Sequence, residues 1–405
     1  MAILTVEQKA TALRMAAKQV SARSGRSYQG YGGLLRIRRL LTRAAVGLVL
    51  LLVFVRELRD RHDKAIREYP IDFQATALDI RSTVVPPQRP VRWFNGTHID
   101  ERYRILRHLK AGAQGLVYLC SDNANDASDQ VIVKTISANA RNPLPSHLQP
   151  SFDEFTRSWP SEIEASLTLG GHNTADHSAF VPVLDYFVLR NAGSSPEDWQ
   201  WTMVTPFVSG GTLVEFSHRL QRVGKSTEQL DNKYRPSLAR VVTDLRTLHA
   251  QGYCHDDVKP QNLFVQGPDD WLLGDLGNTR EVTHGWHDTH LWHRRNQWSD
   301  CQLNDIRNAL KSYLGFLRDA IPSHDRGAFD YEFLHAANPW SRLYWEFVNE
   351  PTASHDVALR DGDVGALSDL GRSHSRMFIG DWARKIAVDH ELLCTALWYK
   401  LWFTF

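Results

Sequence analysis

The sequence predicts an α+β fold, strand-rich in its first half and mostly helical in its second. Short apolar runs of strand length at 131–133, 201–205, 263–265 and 271–273 are bounded by polar or turn residues. Later in the chain, apolar residues recur at helical spacing, at Val242, Leu245 and Leu248 and again at Ile306, Ala309, Leu310, Tyr313 and Leu314. With 405 residues and 42% hydrophobic content, the chain can bury one domain of about 300 residues plus an extension. Lys+Arg 47 against Asp+Glu 46 makes no strong field, so nothing points to a nucleic-acid partner. The sequence contains no internal repeat.

The first 90 residues differ in character. Up to Arg43 they are basic, with no acid beyond Glu7. An uncharged apolar run follows at 44–55, between Arg36, Arg38, Arg39 and Arg43 on one side and Arg56, Arg59 and Arg61 on the other. As helix this run covers about 18 Å, against a hydrocarbon core of ~30 Å. Adding Leu40 and Leu41, with Arg43 snorkelling, brings it nearer to spanning. The expectation is a single-pass membrane anchor over 40–55, with a core or dimerising helix, and a cytoplasmic chain, as the alternative. Basic residues on both sides leave the orientation open. Pro86, Pro87 and Pro90 mark a linker, and the folded part begins near Val91.

Chemistry-bearing residues then arrive in a definite order. Gly112 and Gly115 lie in 109–118, where a missing Cβ lets backbone amides approach an anion closely. The strand at 131–134 ends on Lys134. A Pro- and Ser-rich loop insertion separates it from a helix at 161–169 that carries Glu162 and Glu164. A strand at 201–208 follows, and a helix at 239–249 leads into Tyr253-Cys254-His255-Asp256-Asp257-Val258-Lys259-Pro260-Gln261-Asn262. Two short strands and a Gly-Pro-Asp-Asp turn then precede Asp275-Leu276-Gly277. The loop and Asp275 together offer carboxylate and amide oxygens for a hard cation. They also offer a carboxylate to accept a hydroxyl proton and an ammonium to offset charge on a transferring phosphoryl group.

The set resembles the protein kinase superfamily, whose catalytic loop reads H-R-D-x-K-x-x-N and is followed by D-F-G. The resemblance implies a bilobal fold, with a small β-rich lobe at 91–208 and a mostly helical lobe at 209–405. It implies ATP and Mg2+ as cofactors and a Ser/Thr hydroxyl of a protein substrate as acceptor. Asp257 would accept the proton, Lys259 would contact the γ-phosphate, and Asn262 and Asp275 would bind magnesium. Gly112, Gly115 and Val117 would line the nucleotide site. Lys134 would hold the α- and β-phosphates, paired with Glu162, from which Leu169 lies at the family's spacing, or else with Glu164. Thr205 would be the gatekeeper, with the backbone of Pro206 and Val208 on the adenine edge; proline suits a position that offers only its carbonyl.

The chain also departs from that pattern. Lys110 replaces the first glycine of the phosphate loop, and Gln114 stands at its tip. Asp256 stands where most members carry an arginine that pairs with an activation-segment phosphate, so switching by that phosphate is not expected. The segment after Asp275 is short and lacks A-P-E. Two alternatives therefore stay open: a small-molecule kinase of the same fold, which would lack the lysine at Lys259, and an ATP-binding pseudokinase scaffold. The His/Trp-rich stretch at 284–298 reads as an exposed or substrate-facing aromatic loop, with His287, His290 and His293 completing no metal set. A helix starting near Asp305 would support the catalytic loop from beneath. Cys120, Cys254, Cys301 and Cys394 are scattered and read as reduced or buried residues, not a disulfide framework. The tail at 392–405 reads as a closing helix.

Overall fold

The computed structural model describes residues 32–67, 91–99, 102–112, 115–123, 129–136, 160–170, 179–191, 200–267, 270–349 and 381–392. The linker prolines, Gln114, the insertion at 137–159 and the tail after Leu392 lie outside these residues. The chain divides into two units, Met1–Arg67 and Glu68–Phe405.

The first unit contains α1, Gly32–Arg67, a continuous helix of 36 residues. Leu48, Leu51, Leu52, Phe54 and Val55 on it are all exposed. No helix among the described residues is long and apolar enough to cross a membrane. The anchor expected over 40–55, and the single-pass localisation with it, are thereby corrected. The helix is long, but Arg43 and Arg56 bound its uncharged run, and Glu57, Arg59, Asp60 and Arg61 follow at once.

The second unit opens with β1 (Val91–Phe94), β2 (His98–Ile99), β3 (Tyr103–Gly112), β4 (Gly115–Asp122), β5 (Asp129–Ile136), α2 (Ser161–Gly170), β6 (Asp185–Asn191) and β7 (Gln200–Pro206). The strands curl into a closed barrel in the order β1-β2-β3-β4-β5-β7-β6. Neighbours are antiparallel except where β1 closes the barrel parallel to β6, with Val91 opposite Val188. A buried polar knot fixes that closure. Asp185 Oδ2 accepts from the Tyr103 hydroxyl at 2.7 Å, from Arg92 Nη2 at 2.8 Å and from Arg102 Nη1 at 3.5 Å. Burial and the Asp185 charge push the Tyr103 phenol well above its ordinary range. One apolar cluster inside the barrel joins Ile99, Tyr103, Val131, Val133, Phe187 and Val204. A second seats α2 on the sheet, with Ile163 and Leu167 against Val188, Trp201 and Met203. Each fully buried side chain of this kind contributes about 1.5–3 kcal/mol.

The rest is mostly helical: α3 (Leu213–Gln221), α4 (Thr227–Ala250), β8 (Tyr253–Cys254), β9 (Leu263–Gly267), β10 (Asp270–Leu273), β11 (Arg280–Glu281), α5 (His290–Arg294), α6 (Cys301–Ala320), α7 (Arg326–Leu334), α8 (Pro339–Asn349) and α9 (Asp381–Leu392). Capping boxes start α3, at Thr212 and Glu215, and α4, at Ser226 and Gln229. Helix α6 is buried along nearly its whole length and packs Ala309, Tyr313 and Phe316 into one core with Tyr234, Leu238 and Leu245 of α4. It begins at Cys301, a turn earlier than the apolar pattern indicates, because Asp300 caps it by accepting from Leu303 N–H.

The cysteine reading is also corrected. Cys254, at the end of β8, and Cys301, the first residue of α6, form a disulfide across a sequence separation of 47, with Cα atoms 6.0 Å apart. Folding brings together two residues whose spacing gave no sign of pairing. Cys120 is a buried free thiol, which burial pushes up to about 12.

Candidate active site

On β5 the inward side chains Val131 and Val133 alternate with Ile132 and Lys134 on the other face. Lys134 sits in register between Val117 on β4 and Met203 on β7. Its Nζ lies 2.5 Å from Glu162 Oε1, at the start of α2, and 3.1 Å from Asp275 Oδ1. Glu162, not Glu164, is therefore the partner. Burial pulls the Lys134 ammonium down, but Glu162 and Asp275 outweigh it and hold the group above the ordinary lysine range. The reverse holds for Asp275: burial pushes its carboxyl up, and Lys134 above all brings it below the ordinary range.

Two glycines make this meeting possible. Gly115 has φ +128, and a Cβ there would sit 1.8 Å from the Thr135 carbonyl oxygen. Only glycine lets the start of β4, where Gly115 pairs with Gly112, lie against β5 beside Lys134. Leu116 N–H donates to Thr135 Oγ1 at 2.9 Å across the same contact. At Gly277 a Cβ would lie 3.3 Å from Glu162 Oε2, so α2 rests directly on the turn after Asp275.

At the end of β7, Thr205 lies opposite Ile132 and Pro206 opposite Val131. Phe207 N–H donates to Gln130 at 3.2 Å, and the Val208 carbonyl accepts from Gly211 N–H at 2.9 Å. The chain then turns tightly onto β9, with Val265 N–H donating to the Gly211 carbonyl at 2.9 Å.

The 255–262 loop is held from below and from within. Asp305 on α6 accepts from His255 N–H at 2.6 Å and from Asp256 N–H at 3.0 Å, and it faces His249 Nε2 at 3.1 Å. Nε2 of His255 donates to the Gly274 carbonyl at 3.2 Å, and its Nδ1 accepts from Asp257 N–H at 3.3 Å. The loop converges on Asp257 Oδ2. That oxygen accepts from Lys259 Nζ at 2.6 Å, from Asn262 Nδ2 at 3.1 Å and from Asn278 Nδ2 at 3.2 Å. Asn262 spends its amide nitrogen on Asp257, which leaves its carbonyl oxygen Oδ1 as a candidate metal ligand; Asp275 spends Oδ1 on Lys134, which leaves Oδ2. Two oxygens of this type suit a hard divalent cation.

Residues 284–298 differ from expectation. Trp286, His287 and Trp292 are buried, so the centre of this segment packs inward and is not an exposed aromatic loop, while His293 stays exposed. Trp286 and Trp292 pack edge to face, Trp292 Nε1 donates to the Trp298 carbonyl at 2.7 Å, and His287 reaches Asp256. Hydropathy could not show this, since His and Trp read as polar or interfacial until a buried partner is known. Asn278 and Arg280 also escaped the sequence reading. No spacing links Asn278 to Asp257 or Arg280 to Asp256, and only the fold makes them neighbours. Among the described residues, His249, Cys254 and Asp305, or Cys254, Asp256 and Cys301, bring metal-type donors close together. The cysteines of both sets are oxidised, and Asp305 already accepts backbone N–H groups.

No protein-family model matches the chain. It is similar to serine/threonine-protein kinase 16 of Rattus norvegicus, 28% identical over 119 residues, which is 29% of this chain and 37% of that protein. Serine/threonine-protein kinase D of Synechocystis is 24% identical over 183 residues, 45% of this chain and 31% of the relative. Serine/threonine-protein kinase US3 of Human herpesvirus 1 is 30% identical over 106 residues, 25% of this chain and 18% of the relative. The chain thus spans less than two fifths of the length of these relatives.

Proposed function

We propose that this chain, which belongs to the protein kinase superfamily, transfers the γ-phosphoryl group of ATP to a Ser/Thr hydroxyl of a protein. The observation that carries the reading is the convergence of Lys259, Asn262 and Asn278 on one oxygen of Asp257, with Lys134, paired to Glu162 and Asp275, as the second ammonium of the site. In this reading the small lobe is 91–208, the helical lobe 209–405, and 1–90 an extension.

Each residue then has a task. With Oδ2 fixed by donors, Asp257 presents Oδ1 to the incoming hydroxyl and takes its proton as the new oxygen–phosphorus bond forms. The bond from the γ-phosphorus to the bridging oxygen breaks, and ADP leaves. Lys259, beside Asp257, offsets charge on the transferring group. Lys134 holds the α- and β-phosphates, and Glu162 keeps it in place. Gly112, Gly115 and Val117, at the facing ends of β3 and β4, line the phosphates, and Thr205, Pro206 and Val208 border the adenine. A magnesium ion held by Asn262 and Asp275 would neutralise phosphate charge.

A second reading, a small-molecule acceptor, draws on the short segment after Asp275. There Trp286, His287 and Trp292 fill the protein interior, which takes these side chains away from the surface a peptide would meet. The lysine at Lys259 favours the protein acceptor. One experiment tests both: incubate the purified chain with labelled ATP and magnesium, then separate a lysate into proteins and metabolites. Label in protein bands supports the first reading, and label confined to metabolites replaces it with the second. Magnesium-dependent ATP binding with no label in either fraction contradicts transfer and leaves a nucleotide-binding scaffold.

A further inference from the structure

Asp256 occupies a left-handed backbone position, φ 62, and its carboxylate is wholly buried. A buried carboxylate requires charged or hydrogen-bonding partners. Here they come from the segment after Asp275. Arg280 Nη1 donates to Asp256 Oδ2 at 3.1 Å, and His287 Nε2 lies 2.9 Å from that oxygen and 3.1 Å from Oδ1. Both cationic side chains are as buried as the acid, 2% and 3% exposed. Arg280 Nη1 also donates to the Asn278 carbonyl at 2.6 Å, and the Asn278 side chain is one of the three donors on Asp257. A continuous line of contacts therefore runs from His287 through Asp256 and Arg280 to Asn278 and the Asp257 carboxylate.

We propose that Asp256, Arg280 and His287 form a built-in clamp of positioning residues that ties the segment after Asp275 to the catalytic loop and so seats Asn278 on Asp257. The polarity is reversed relative to a phosphate anchor: the acid lies in the loop, and the cations lie in the segment it holds. No added phosphate is needed, because the acid that holds the segment is part of the chain itself.

His287 makes the clamp depend on pH. Its Nε2 faces the Asp256 carboxylate, and its Nδ1 faces the Val282 carbonyl at 3.3 Å. Both of these partners only accept, so the ring satisfies both only as the doubly protonated imidazolium. The other groups around it are Arg280 on β11, the His284 ring at 6.3 Å between centroids and the Trp292 ring at 5.1 Å. Sulfur atoms of the Cys254–Cys301 disulfide lie within 4.8 Å of an Asp256 carboxylate oxygen. Burial and Arg280 lower the imidazole pKa, but the Asp256 hydrogen bond and charge outweigh them and raise it above the ordinary histidine value.

The role in positioning rests on the phosphotransferase reading, so the test has a catalytic arm and an arm independent of catalysis. In the catalytic arm, phosphatase-treated full-length wild type, Arg280→Gln, Arg280→Lys and His287→Gln are assayed for transfer between pH 6 and 9. Phosphatase treatment should leave wild-type kcat within about twofold, and Arg280→Gln should lower kcat roughly tenfold with little change in KM for ATP, while Arg280→Lys restores part of the loss. Wild-type kcat should fall as pH rises through the His287 titration, and His287→Gln should lose that fall. Turnover abolished by phosphatase, or an alkaline fall that persists in His287→Gln, would overturn the clamp. In the second arm, the His287 ring is followed by NMR in nucleotide-free protein, its signal assigned by its loss in His287→Gln. It should titrate above the ordinary value of ~6.5 in wild type and below it in Asp256→Asn, where burial and Arg280 remain without the acid. An ordinary titration unmoved by Asp256→Asn would refute the clamp even if the chain transfers phosphate. The predicted titration in a chain that transfers nothing would uphold the clamp and sink the kinase reading.

Discussion

Asp257 Oδ2 is the atom on which the proposed chemistry turns, and its three donors differ in how the sequence reveals them. Lys259 and Asn262 stand at fixed offsets in a loop whose residue types point to phosphate and metal handling. Asn278 stands beyond two strands and a turn, where only the left-handed turn at Asp275, φ 58, brings its amide to 3.2 Å. Asn278→Ala removes one hydrogen bond from the acid and adds no charge. The expected outcome is a fall in kcat of roughly tenfold, about 1.4 kcal/mol, with ATP affinity nearly unchanged. Steady-state kinetics alongside a nucleotide-binding titration measure both, and an unaltered kcat removes Asn278 from the site.

Among the elements, α6 does the most to hold the loop. It carries Asp305, which takes the His255 and Asp256 N–H groups, and Cys301, which is bonded to Cys254 just before them. One helix end thus secures the loop by hydrogen bonds and by a covalent link. Chain entropy alone assigns a disulfide closing a loop of this length roughly 4 kcal/mol. Cys301→Ala should therefore lower the thermal midpoint of the second unit, and added reductant should have little further effect on the variant. A midpoint equal to wild type under oxidising conditions counts against the bond. The helix itself was legible from its apolar spacing and the disulfide was not, since pairing over 47 positions is a property of topology. The same applies to β1, whose parallel pairing with β6 closes the barrel but leaves no mark on four residues of sequence. In α1 the local signal misled. The apolar run is real, but a bilayer requires length as well as hydropathy, and the flanking charges deny it.

At the scale of the second unit, buried ion clusters join elements that lie far apart in sequence. Glu391 on α9 meets Arg307 and Lys311 of α6 and the hydroxyl of Tyr344 on α8. Burial pushes the Glu391 carboxyl up, but Tyr344 and the cations bring it below its ordinary value. Its contribution is therefore present above the unfolded value of ~4.3 and lost as pH falls through the lower folded value. Glu391→Gln should cost about 2 kcal/mol at neutral pH and reduce the acid-side loss of stability. Unfolding midpoints across pH test this, and equal midpoints at neutral pH refute it. His287 has the opposite sign. Its raised folded value gives a contribution complete below ~6.5 that disappears as pH rises through the folded value. The sequence conveyed the groups around Asp257 and Lys134 because the chemistry proposed for them constrains residue type at close spacing. The clamp, the disulfide and the α6–α9 cluster depend on contacts between distant segments and became visible only once the chain was folded.

The most direct test of phosphoryl transfer compares wild type with Asp257→Asn in one preparation, measuring Mg-dependent ATP binding and label transferred to protein. Wild type should do both, and Asp257→Asn should bind ATP with similar affinity while transfer falls at least ~100-fold, the scale of a lost general base. Transfer by the variant at the wild-type rate would contradict the assignment of Asp257 and the mechanism built on it.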